Sequence, residues 1–402
     1  MKYETEQNLI LNRGTFQIIN KNDVSESLKD KNIKLRIKFG IDPTGSKIHL
    51  GRASTIQRLK DFQNLGHTIV LIVGDFTARI GDSSDKLEKR ENLSQSVIES
   101  NLETYKDQLG KIIDISKVEF IYNSEWLSKL NLDEIIEISK KFTVAQMIER
   151  ENFHNRYKEN KPIGLHEFLY PLIQGYDSVA IKADIELGGS DQLFNLLSGR
   201  EVQSYYGMKK QNIITKKLLI GTDGRKMSTS WGNVINITDN PNDIYAKVMS
   251  VKDENIIEYF ILATRISDKS IKEIEKELKN SKNKAIMDIK KLLASEITQM
   301  YSSKEESIKA EENFKNTVQD KNYNLSSDII ELETSVKNTS ILDLVSNITG
   351  QLPSKAEARR VVKDGGLYID NIRVLNVNEN IILKNDMLIK VGKRNIVKIK
   401  KI

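Results

Sequence analysis

The segment of residues 40–52, GIDPTGSKIHLGR, combines residue types that could bind a polyphosphate. It follows a short strand-like stretch and makes a Pro/Gly turn, after which His49 and Gly51 precede a helical pattern. Such a turn presents free backbone N–H groups and the positive end of a helix dipole, and glycine lets the backbone approach a ligand closely. No G-x-G-x-x-G motif follows the strand, and residues 221–226 lack P-loop spacing. A structural turn with a surface histidine is the alternative interpretation.

A second set of polar residues lies at helical spacing. Tyr170, Gln174 and Asp177 stand at positions i, i+4 and i+7, on one face of a helix, so their polar groups can converge on one pocket. The apolar residues Phe168 and Leu172 are interleaved with them. This interleaving argues against a polar face that is simply turned to solvent.

Strand-like and helical patterns alternate around these residues. Residues 1–32 read as one or two leading helices, and helices are also expected after residue 52, over 126–150 and after residue 189. Apolar runs rich in β-branched residues predict strands at 36–40, 68–75, 118–122, 179–187 and 213–215. The alternation predicts an α/β domain with a doubly wound parallel sheet, whose ligand crevice lies at the carboxyl ends of the strands.

The composition limits the class of protein. With 402 residues, 39% hydrophobic and 29% charged, the chain should form two to three soluble globular domains. No run approaches the roughly 18 apolar residues of a membrane span. The N-terminus has no apolar signal core, and cysteine, which would supply disulfides or thiolate ligands, is absent. A cytoplasmic protein without membrane contact or structural metal is expected.

The basic charge is concentrated near the C-terminus. Residues 351–402 hold 12 Lys/Arg and 5 Asp/Glu, whereas residues 1–350 hold 50 and 51. A compact basic module attached to a neutral body suits a polyanionic partner such as RNA, which it would bind through phosphate contacts. A lysine-rich tail that only aids solubility explains the charge equally well.

Four motifs of the predicted α/β domain, together with one segment near the C-terminus, resemble the bacterial tyrosyl-tRNA synthetases, a family of class I aminoacyl-tRNA synthetases. Residues 40–52 resemble the HIGH-type motif, and residues 226–230, KMSTS, resemble the KMSKS loop. Residues 167–177 and 187–192 look like the family's tyrosine-pocket helix and ribose-binding loop. Residues 354–360 resemble the alpha-L RNA-binding motif found in one small-subunit ribosomal protein.

The resemblance implies an activity and a domain order. The chain would activate L-tyrosine with ATP, which arrives with Mg²⁺, to give tyrosyl-adenylate and pyrophosphate, and would then transfer tyrosine to tRNA-Tyr. A homodimer is also implied. The implied domains are a Rossmann-like catalytic domain over residues 1–236, an α-helical anticodon-binding domain over 237–325, a linker over 326–339 and a small α+β RNA-binding domain over 340–402.

The resemblance also implies roles for individual residues. The catalytic residues would be Thr44, His49, Lys86, Arg90 and Lys226. The ATP-binding residues would be Gly40, Asp42, His49, Gly51, Arg52, Gly189, Asp191, Lys226, Met227 and Ser228. The tyrosine-binding residues would be Lys38, Asp82, Tyr170, Gln174, Asp177 and Gln192, and the RNA-binding residues Lys355, Arg359, Arg360 and Lys363.

In this family-based assignment Asp177 accepts the substrate's phenolic O–H, and a buried carboxylate left without that partner would disfavour phenylalanine. Lys86, Arg90 and Lys226 are flexible cations suited to pyrophosphate. An ordinary charged surface helix is the alternative for Lys86 and Arg90, which lie in the charged segment 85–91.

Three departures from the family pattern lie near the predicted phosphates. Arg52 stands where the second His is usual, Thr229 replaces the second Lys of the KMSKS loop, and residues 81–86, GDSSDK, replace the common GDPSGK. Arg52 adds a fixed cation while Thr229 removes a mobile one. Two interpretations remain open: tolerated drift in a working enzyme, and a second-copy synthetase with an altered, for instance inhibitor-resistant, nucleotide site.

Two further alternatives concern the activity itself. One is a non-catalytic RNA-binding protein on the synthetase fold, which the intact Tyr170, Gln174, Asp177 and residues 188–192 argue against. The other is a tyrosine-activating enzyme that serves a pathway other than translation.

Overall fold

The chain divides into two compact units. The first comprises residues 1–240 and 247–301, and the second comprises residues 241–246 and 302–402. Within the part of the chain that the structure describes, no helix has the length and apolar character needed to cross a membrane. The computed structural model describes residues 2–42, 47–81, 95–280, 283–320, 329–392 and 395–402.

A six-stranded sheet forms the centre of the first unit. Its strands are β1 Thr15–Ile19, β2 Arg36–Ile41, β3 Thr68–Val73, β4 Val118–Tyr122, β5 Ile185–Gly189 and β6 Asn212–Lys216. They lie in the order β1-β6-β5-β2-β3-β4, and all neighbours are parallel except β1, which is antiparallel to β6. The order reverses between β2 and β5, where doubly wound sheets open a ligand crevice. The predicted α/β fold class is confirmed.

Helices surround this sheet, so that a central strand such as β3 is buried from Ile69 to its last residue and reads as one apolar run. Helix α3 begins at Leu50, within the segment 40–52 that is predicted to bind polyphosphate, and α9 carries Tyr170, Gln174 and Asp177. The helices between residues 2 and 301 are α1 Lys2–Leu11, α2 Lys21–Lys29, α3 Leu50–Asn64, α4 Gln95–Gly110, α5 Ser124–Leu127, α6 Leu132–Ser139, α7 Val144–Ile148, α8 Glu151–Lys158, α9 Leu165–Ala180, α10 Leu193–Tyr205, α11 Pro241–Met249, α12 Ile256–Ala263, α13 Asp268–Asn280 and α14 Asn283–Tyr301.

The structure corrects three local predictions in the first unit. Residues 1–32 are not only helical, because β1 lies between α1 and α2 and pairs through its backbone with β6. The strand predicted over 179–187 begins only at Ile185, because α9 continues through Ala180 and ends where Lys182 adopts a left-handed φ of 52°. The helical stretch over 126–150 is three short helices, since Asn131 and Thr143 each start a new one with a capping box.

The second unit is built on a five-stranded sheet. Its helices are α15 Lys304–Phe314, α16 Ile341–Asp343 and α17 Lys355–Lys363, and its strands are β7 Ile329–Thr334, β8 Asn338–Ser340, β9 Leu367–Ile369, β10 Ile372–Val374, β11 Asn380–Ile382, β12 Leu388–Val391 and β13 Asn395–Lys401. The larger sheet has the order β10-β9-β12-β13-β7, and β11 pairs with β8. Ala358 and Val362 of α17 are buried in the core of this unit.

The linker predicted over residues 326–339 contains two strands in its described part. Strand β7 pairs in parallel with β13, and Ile329 packs against Leu388 and Ile396. Polar residues interrupt the apolar positions of this segment, so it shows no clear strand pattern. Its partner β13 is also distant in the sequence, so local patterns do not indicate the pairing. The segment predicted as helical, 237–325, contains α11 to α15. The two compact units divide within it, since residues 241–246 and the residues from 302 onward belong to the second unit.

Candidate active site

A cavity of about 590 Å³ lies in the first unit, where β2 and β5 end side by side. Its walls are the ends of these strands, the start of α3, one face of α9 and the loop of residues 226–230. The residues predicted for ATP and tyrosine that line it are Gly40, Asp42, His49, Gly51, Arg52, Tyr170, Gln174, Asp177, Gly189, Asp191, Gln192, Lys226, Met227 and Ser228. Motifs far apart in sequence thus meet at one crevice.

The other residues predicted for the substrates are placed differently. Lys38 lies beneath the cavity, where its Nζ donates to the carbonyl oxygen of Gln174 at 2.9 Å and to Ser178 Oγ at 2.8 Å. These protein acceptors occupy the ammonium group that was predicted to contact tyrosine. The remaining predicted residues, Thr44, Asp82, Lys86 and Arg90, lie outside the described residues.

A buried carboxylate, Asp177, forms one end of the cavity, and its side chain accepts two protein hydrogen bonds. Trp126 Nε1 donates to Oδ1 at 2.8 Å and Asn123 Nδ2 donates to Oδ2 at 3.4 Å. Burial raises the pKa of Asp177 to about 7, although Lys38 and the two hydrogen bonds lower it. The result is a fixed carboxylate poised to ionise near neutral pH.

A second carboxylate, Asp42, lies at the end of β2 and is tied to the same helix. Tyr170 Oη donates to Asp42 Oδ2 at 2.9 Å, and Thr77 Oγ1 donates to Oδ1 at 2.9 Å. Gly74 packs against this pair, and a Cβ there would collide with both Asp42 Oδ1 and Thr77 Oγ1. Because Asn123 also donates to Thr77 Oγ1 at 3.2 Å, a hydrogen-bond chain joins the two carboxylates.

His49 caps the N-terminus of α3 at the opposite end of the cavity. Its Nδ1 accepts the backbone N–H of Arg52 at 3.4 Å, so the proton of the neutral ring lies on Nε2. Burial, followed by the nearby charges of Arg52 and Lys226, lowers the pKa of His49 to about 3. A neutral imidazole donor and a helix N-terminus therefore point into one region of the cavity, which suits an anion.

Lys226 is the first residue of the KMSTS loop, and its ammonium group forms an ion pair with Asp191 across the cavity. The loop itself is held from behind by Asn233. Asn233 Nδ2 donates to the carbonyl oxygen of Lys226 at 2.9 Å, and Asn233 Oδ1 accepts the N–H of Ser228 at 2.9 Å. The loop thus places a lysine above the residues predicted to bind ribose.

A stacked pair closes the base of this loop. The guanidinium of Arg225 lies 3.6 Å from the centre of the Trp231 ring and donates from Nε to Asp223 Oδ2 at 2.7 Å. Asn233 donates to the other oxygen of Asp223 at 2.7 Å, and these bonds lower the pKa of Asp223 to about 2. The two flanks of the KMSTS segment are therefore joined by side chains as well as by backbone.

Arg52, the least family-like residue of the site, has its own partner. Its Nη1 donates to the hydroxyl of Tyr105 on α4, and its guanidinium lies 6.0 Å from the centre of that ring. This contact fixes the cation beside the start of α3, in agreement with the expectation of a fixed charge.

Sequence reasoning missed several residues that support the cavity. Asn123 and Trp126 follow directly after β4, and side chains after a parallel strand are a signal that could have indicated them. Glu186 on β5 gave no local signal because its partners Lys38 and Gln211 lie elsewhere in the sequence. Asn233 belongs to no periodic pattern, although its partners Lys226 and Ser228 are close in the sequence.

The basic residues predicted to bind RNA lie on α17 in the second unit. Lys355, Arg359, Arg360 and Lys363 are all exposed, whereas Ala358 and Val362 of the same helix are buried. Lys355 pairs with Asp343 at 2.7 Å and Arg360 pairs with Glu357 at 3.5 Å. The helix therefore offers one continuous basic face.

Comparison with known proteins defines the class. The model of the family "tRNA synthetases class I (W and Y)" matches residues 29–319, and the chain belongs to this family of aminoacyl-tRNA synthetases. The particular relatives are named "Tyrosine--tRNA ligase" in Thermotoga maritima, with 42% identity over 98% of this chain and 97% of that protein, and "Tyrosine--tRNA ligase 2" in Clostridium acetobutylicum, with 44% identity over 99% of both.

Solved structures share the fold. The tyrosyl-tRNA synthetase from Archaeoglobus fulgidus, determined in complex with L-tyrosine, superposes with a TM-score of 0.58 at 21% identity. The match covers 77% of this chain and 99% of that one.

Proposed function

We propose that the chain is a ligase that joins L-tyrosine to tRNA-Tyr. The observation that carries the proposal is the buried Asp177, held by Trp126, in the same cavity as the N-terminus of α3 and the KMSTS loop. One end of the cavity can recognise a hydroxyl group and the other can hold phosphates. The names of the close relatives agree with this assignment.

The tyrosine side chain would lie against Asp177, which accepts its phenolic O–H. Phenylalanine would leave this buried carboxylate without a partner, and an unsatisfied buried acceptor costs about 1–3 kcal/mol, more when it is charged. The substrate's ammonium group would bind near Tyr170 and Gln174. Asp42, hydrogen-bonded to Tyr170, adds a carboxylate there. Asp82, which lies outside the described residues, would bind the same ammonium group.

Activation requires positioning more than acid–base chemistry. A carboxylate oxygen of tyrosine attacks the α-phosphorus of ATP, a new P–O bond forms, the bond to pyrophosphate breaks, and the negative charge leaves on pyrophosphate. MgATP is the substrate, and Asp191 on the cavity wall is an oxygen donor of the kind Mg²⁺ accepts. His49 Nε2 and the backbone of α3 would donate to the phosphates, as would Thr44.

Lys226, together with Lys86 and Arg90, would stabilise the negative charge on the departing pyrophosphate. Lys226 is held by Asp191 before ATP binds, and it would exchange this partner for phosphate oxygens. In the second step a hydroxyl group of the terminal ribose of tRNA attacks the activated carbonyl, and AMP leaves.

The same proposal assigns roles outside the cavity. The helical segment 237–325 would bind the anticodon arm, and the basic face of α17, with Arg359 and Lys363, would contact RNA phosphates. The protein would act in the cytoplasm.

A homodimer is supported by exposed apolar side chains on consecutive helices of the first unit. Leu132, Ile136, Val144, Tyr157 and Leu165 lie on α6 to α9 and are all exposed. Burial of such a face against a second copy is favourable. Light scattering should give the mass of a dimer, and Leu165→Glu should lower it toward the monomer, whereas Lys161→Glu, a nearby exposed position, should not.

The decisive experiment is ATP–pyrophosphate exchange with each of the twenty amino acids, followed by charging of tRNA-Tyr. We expect exchange with tyrosine and formation of tyrosyl-tRNA. RNA binding without exchange would support the non-catalytic alternative, and exchange without charging would support tyrosine activation outside translation. Exchange with a different amino acid would overturn the assignment of Asp177.

A further inference from the structure

A buried ion pair lies directly behind the candidate tyrosine subsite. Lys38 on β2 and Glu186 on β5 meet at 2.9 Å between Nζ and Oε1, and each side chain is only 1% exposed. Both strands run in parallel and are adjacent in the sheet at this point. Replacing such a buried pair by apolar residues is often neutral or stabilising, so stability alone does not explain its presence.

The pair holds α9 on both sides of Asp177. Lys38 Nζ binds the carbonyl oxygen of Gln174, three residues before Asp177, and the hydroxyl of Ser178, the residue after it. Ser178 Oγ also lies 3.3 Å from Glu186 Oε2, and Gln211 donates to the same carboxylate oxygen. Every charged atom of the pair therefore has a protein partner, and the ammonium group is directed at α9 rather than at the cavity.

The Lys38–Glu186 pair is tightly packed against helix α10. Gly199 on α10 packs against it, and a Cβ at that position would lie 2.9 Å from Ser178 Oγ and 3.2 Å from Glu186 Oε2. A side chain larger than hydrogen at this position of α10 would therefore displace the network.

We infer that the Lys38–Glu186 pair is a specificity-determining element for the amino acid: it positions the turn of α9 that carries Asp177 and sets the electrostatic field in which this carboxylate meets a phenol. Lys38 does not line the cavity, and Glu186 lines it with both carboxylate oxygens bound to protein groups, so the two act on the substrate through α9 and Asp177 as positioning residues. The inference rests on the proposed tyrosine activity and adds to it the part that selects a hydroxylated ring.

The charged groups around Asp177 are few in the described part of the first unit. Lys38 and Glu186 approach it from β2 and β5, and Trp126 and Asn123 donate to it from beyond β4. Asp42 and Asp75 lie at the ends of β2 and β3, where Asp42 accepts from Thr77 and Tyr170, and Asp75 accepts the N–H of Ser124 at 3.0 Å. Among these described groups Lys38 carries positive charge, and the carboxylates of Glu186, Asp42 and Asp75 carry negative charge.

The two members of the pair act on Asp177 with opposite sign. The charge of Lys38 lowers the pKa of Asp177, and the charge of Glu186 raises it. Because the ionised carboxylate accepts the phenol best, kcat/KM for tyrosine should rise with pH as Asp177 ionises, around pH 7. Loss of Lys38 should move this rise to higher pH, and loss of the Glu186 charge should move it to lower pH.

The test compares Lys38→Met, Glu186→Gln and the double variant in tyrosine-dependent pyrophosphate exchange between pH 5.5 and 9. We expect shifts of about one pH unit, upward for Lys38→Met and downward for Glu186→Gln, since a nearby opposite charge moves a carboxyl pKa by one to three units. The double variant should return close to the wild type. At pH values below this rise, Lys38→Met should also lower the ratio of kcat/KM for tyrosine to kcat/KM for phenylalanine about tenfold.

A purely structural role for the pair gives a different result. Both single variants break the same contact, so they would shift the profile in the same direction or lower it at every pH, and either outcome would overturn the inference. Urea unfolding checks that each variant is folded. Absence of tyrosine-dependent exchange in the wild type would instead contradict the proposed function.

A second measurement needs no substrate. The chain has two tryptophans, and in a Trp231→Phe background Trp126, which donates to Asp177, is the only one left. Its fluorescence should titrate with Asp177, and Lys38→Met and Glu186→Gln should move the midpoint in opposite directions. Equal midpoints would overturn the inference even if the variants proved inactive.

Discussion

The two ends of the candidate active site are built in different ways. At the tyrosine end, Asp177 is 2% exposed and accepts hydrogen bonds from Trp126 and Asn123, and a buried ion pair supports it from behind. At the phosphate end, Lys226 is 40% exposed, lies on a loop and is held by the single carboxylate of Asp191. Selection of the amino acid thus depends on fixed groups, whereas charge transfer to pyrophosphate depends on groups that can change partners.

Residues that depart from the family pattern lie mainly at the phosphate end of the cavity. Two of the three departures from the family pattern, Arg52 and Thr229, fall at the phosphate end, where several cations share one task. In the third, at residues 81–86, residues 82–86 lie outside the described part of the chain. The tyrosine end keeps each polar group in a network in which a change of one member leaves another unsatisfied.

The largest effect is expected from Asp177→Asn. Loss of the buried charge-assisted acceptor should lower kcat/KM for tyrosine by about three orders of magnitude, corresponding to roughly 4 kcal/mol, and leave KM for ATP nearly unchanged. Pyrophosphate exchange at saturating ATP measures this. The matched control is Asp191→Asn, a carboxylate at the phosphate end, which should affect ATP rather than tyrosine. A similar fall in kcat/KM for tyrosine in both variants would show that the two ends of the cavity do not act separately.

The next largest effect is expected from Lys226→Met. Removal of a cation that follows charge onto pyrophosphate should lower kcat for exchange about a hundredfold, with KM for tyrosine within about twofold of the wild type. Single-turnover formation of the adenylate separates this step from binding. A rise in KM for tyrosine comparable to the fall in kcat would show that Lys226 contributes to tyrosine binding and would contradict its assignment to the phosphate end.

A smaller effect is expected from Trp231→Leu, which removes the surface on which Arg225 stacks. A cation–π contact contributes about 0.5–2 kcal/mol. Without it the two flanks of the KMSTS loop are held less firmly, so KM for ATP should rise about three- to tenfold. Trp231→Phe keeps an aromatic face and should recover most of the effect. Equal KM values for ATP in wild type and Trp231→Leu would show that the stack does not position the loop.

The smallest effect is expected from Arg52→His combined with Thr229→Lys. Because Arg52 is held by Tyr105, its replacement should change the exchange rate by less than about threefold. Exchange rates and inhibition by an adenylate-mimicking compound should be measured together. Equal rates with equal inhibition mean drift in a working enzyme, whereas a large gain in sensitivity for the double variant would support the second-copy interpretation.

Much of the fold and of the cavity could be predicted from the sequence. Glycine-bounded apolar runs indicated most strands of the first unit, and the face of Tyr170, Gln174 and Asp177 followed from helical spacing. Motifs that bind with backbone groups, such as the start of α3 at His49, also carry a local signal.

Contacts between distant strands could not be predicted. Lys38 pairs with Glu186 only because β2 and β5 are neighbours, and no periodic pattern indicates which strands of a parallel sheet are adjacent. The same reason applies to β7, which lies in the predicted linker and pairs with β13, more than 60 residues further along the chain. A short strand whose side chains are half exposed differs little from a loop until its neighbour is known.

The most direct test of the two-ended site is a crystal structure of the chain with tyrosine and a non-hydrolysable ATP analogue. We expect the phenolic oxygen within hydrogen-bond distance of Asp177 Oδ, with Trp126, Lys38 and Glu186 unmoved, and Lys226 displaced from Asp191 onto the phosphates. A phenol bound away from Asp177, or a rearranged Lys38–Glu186 pair beside an unmoved Lys226, would contradict it.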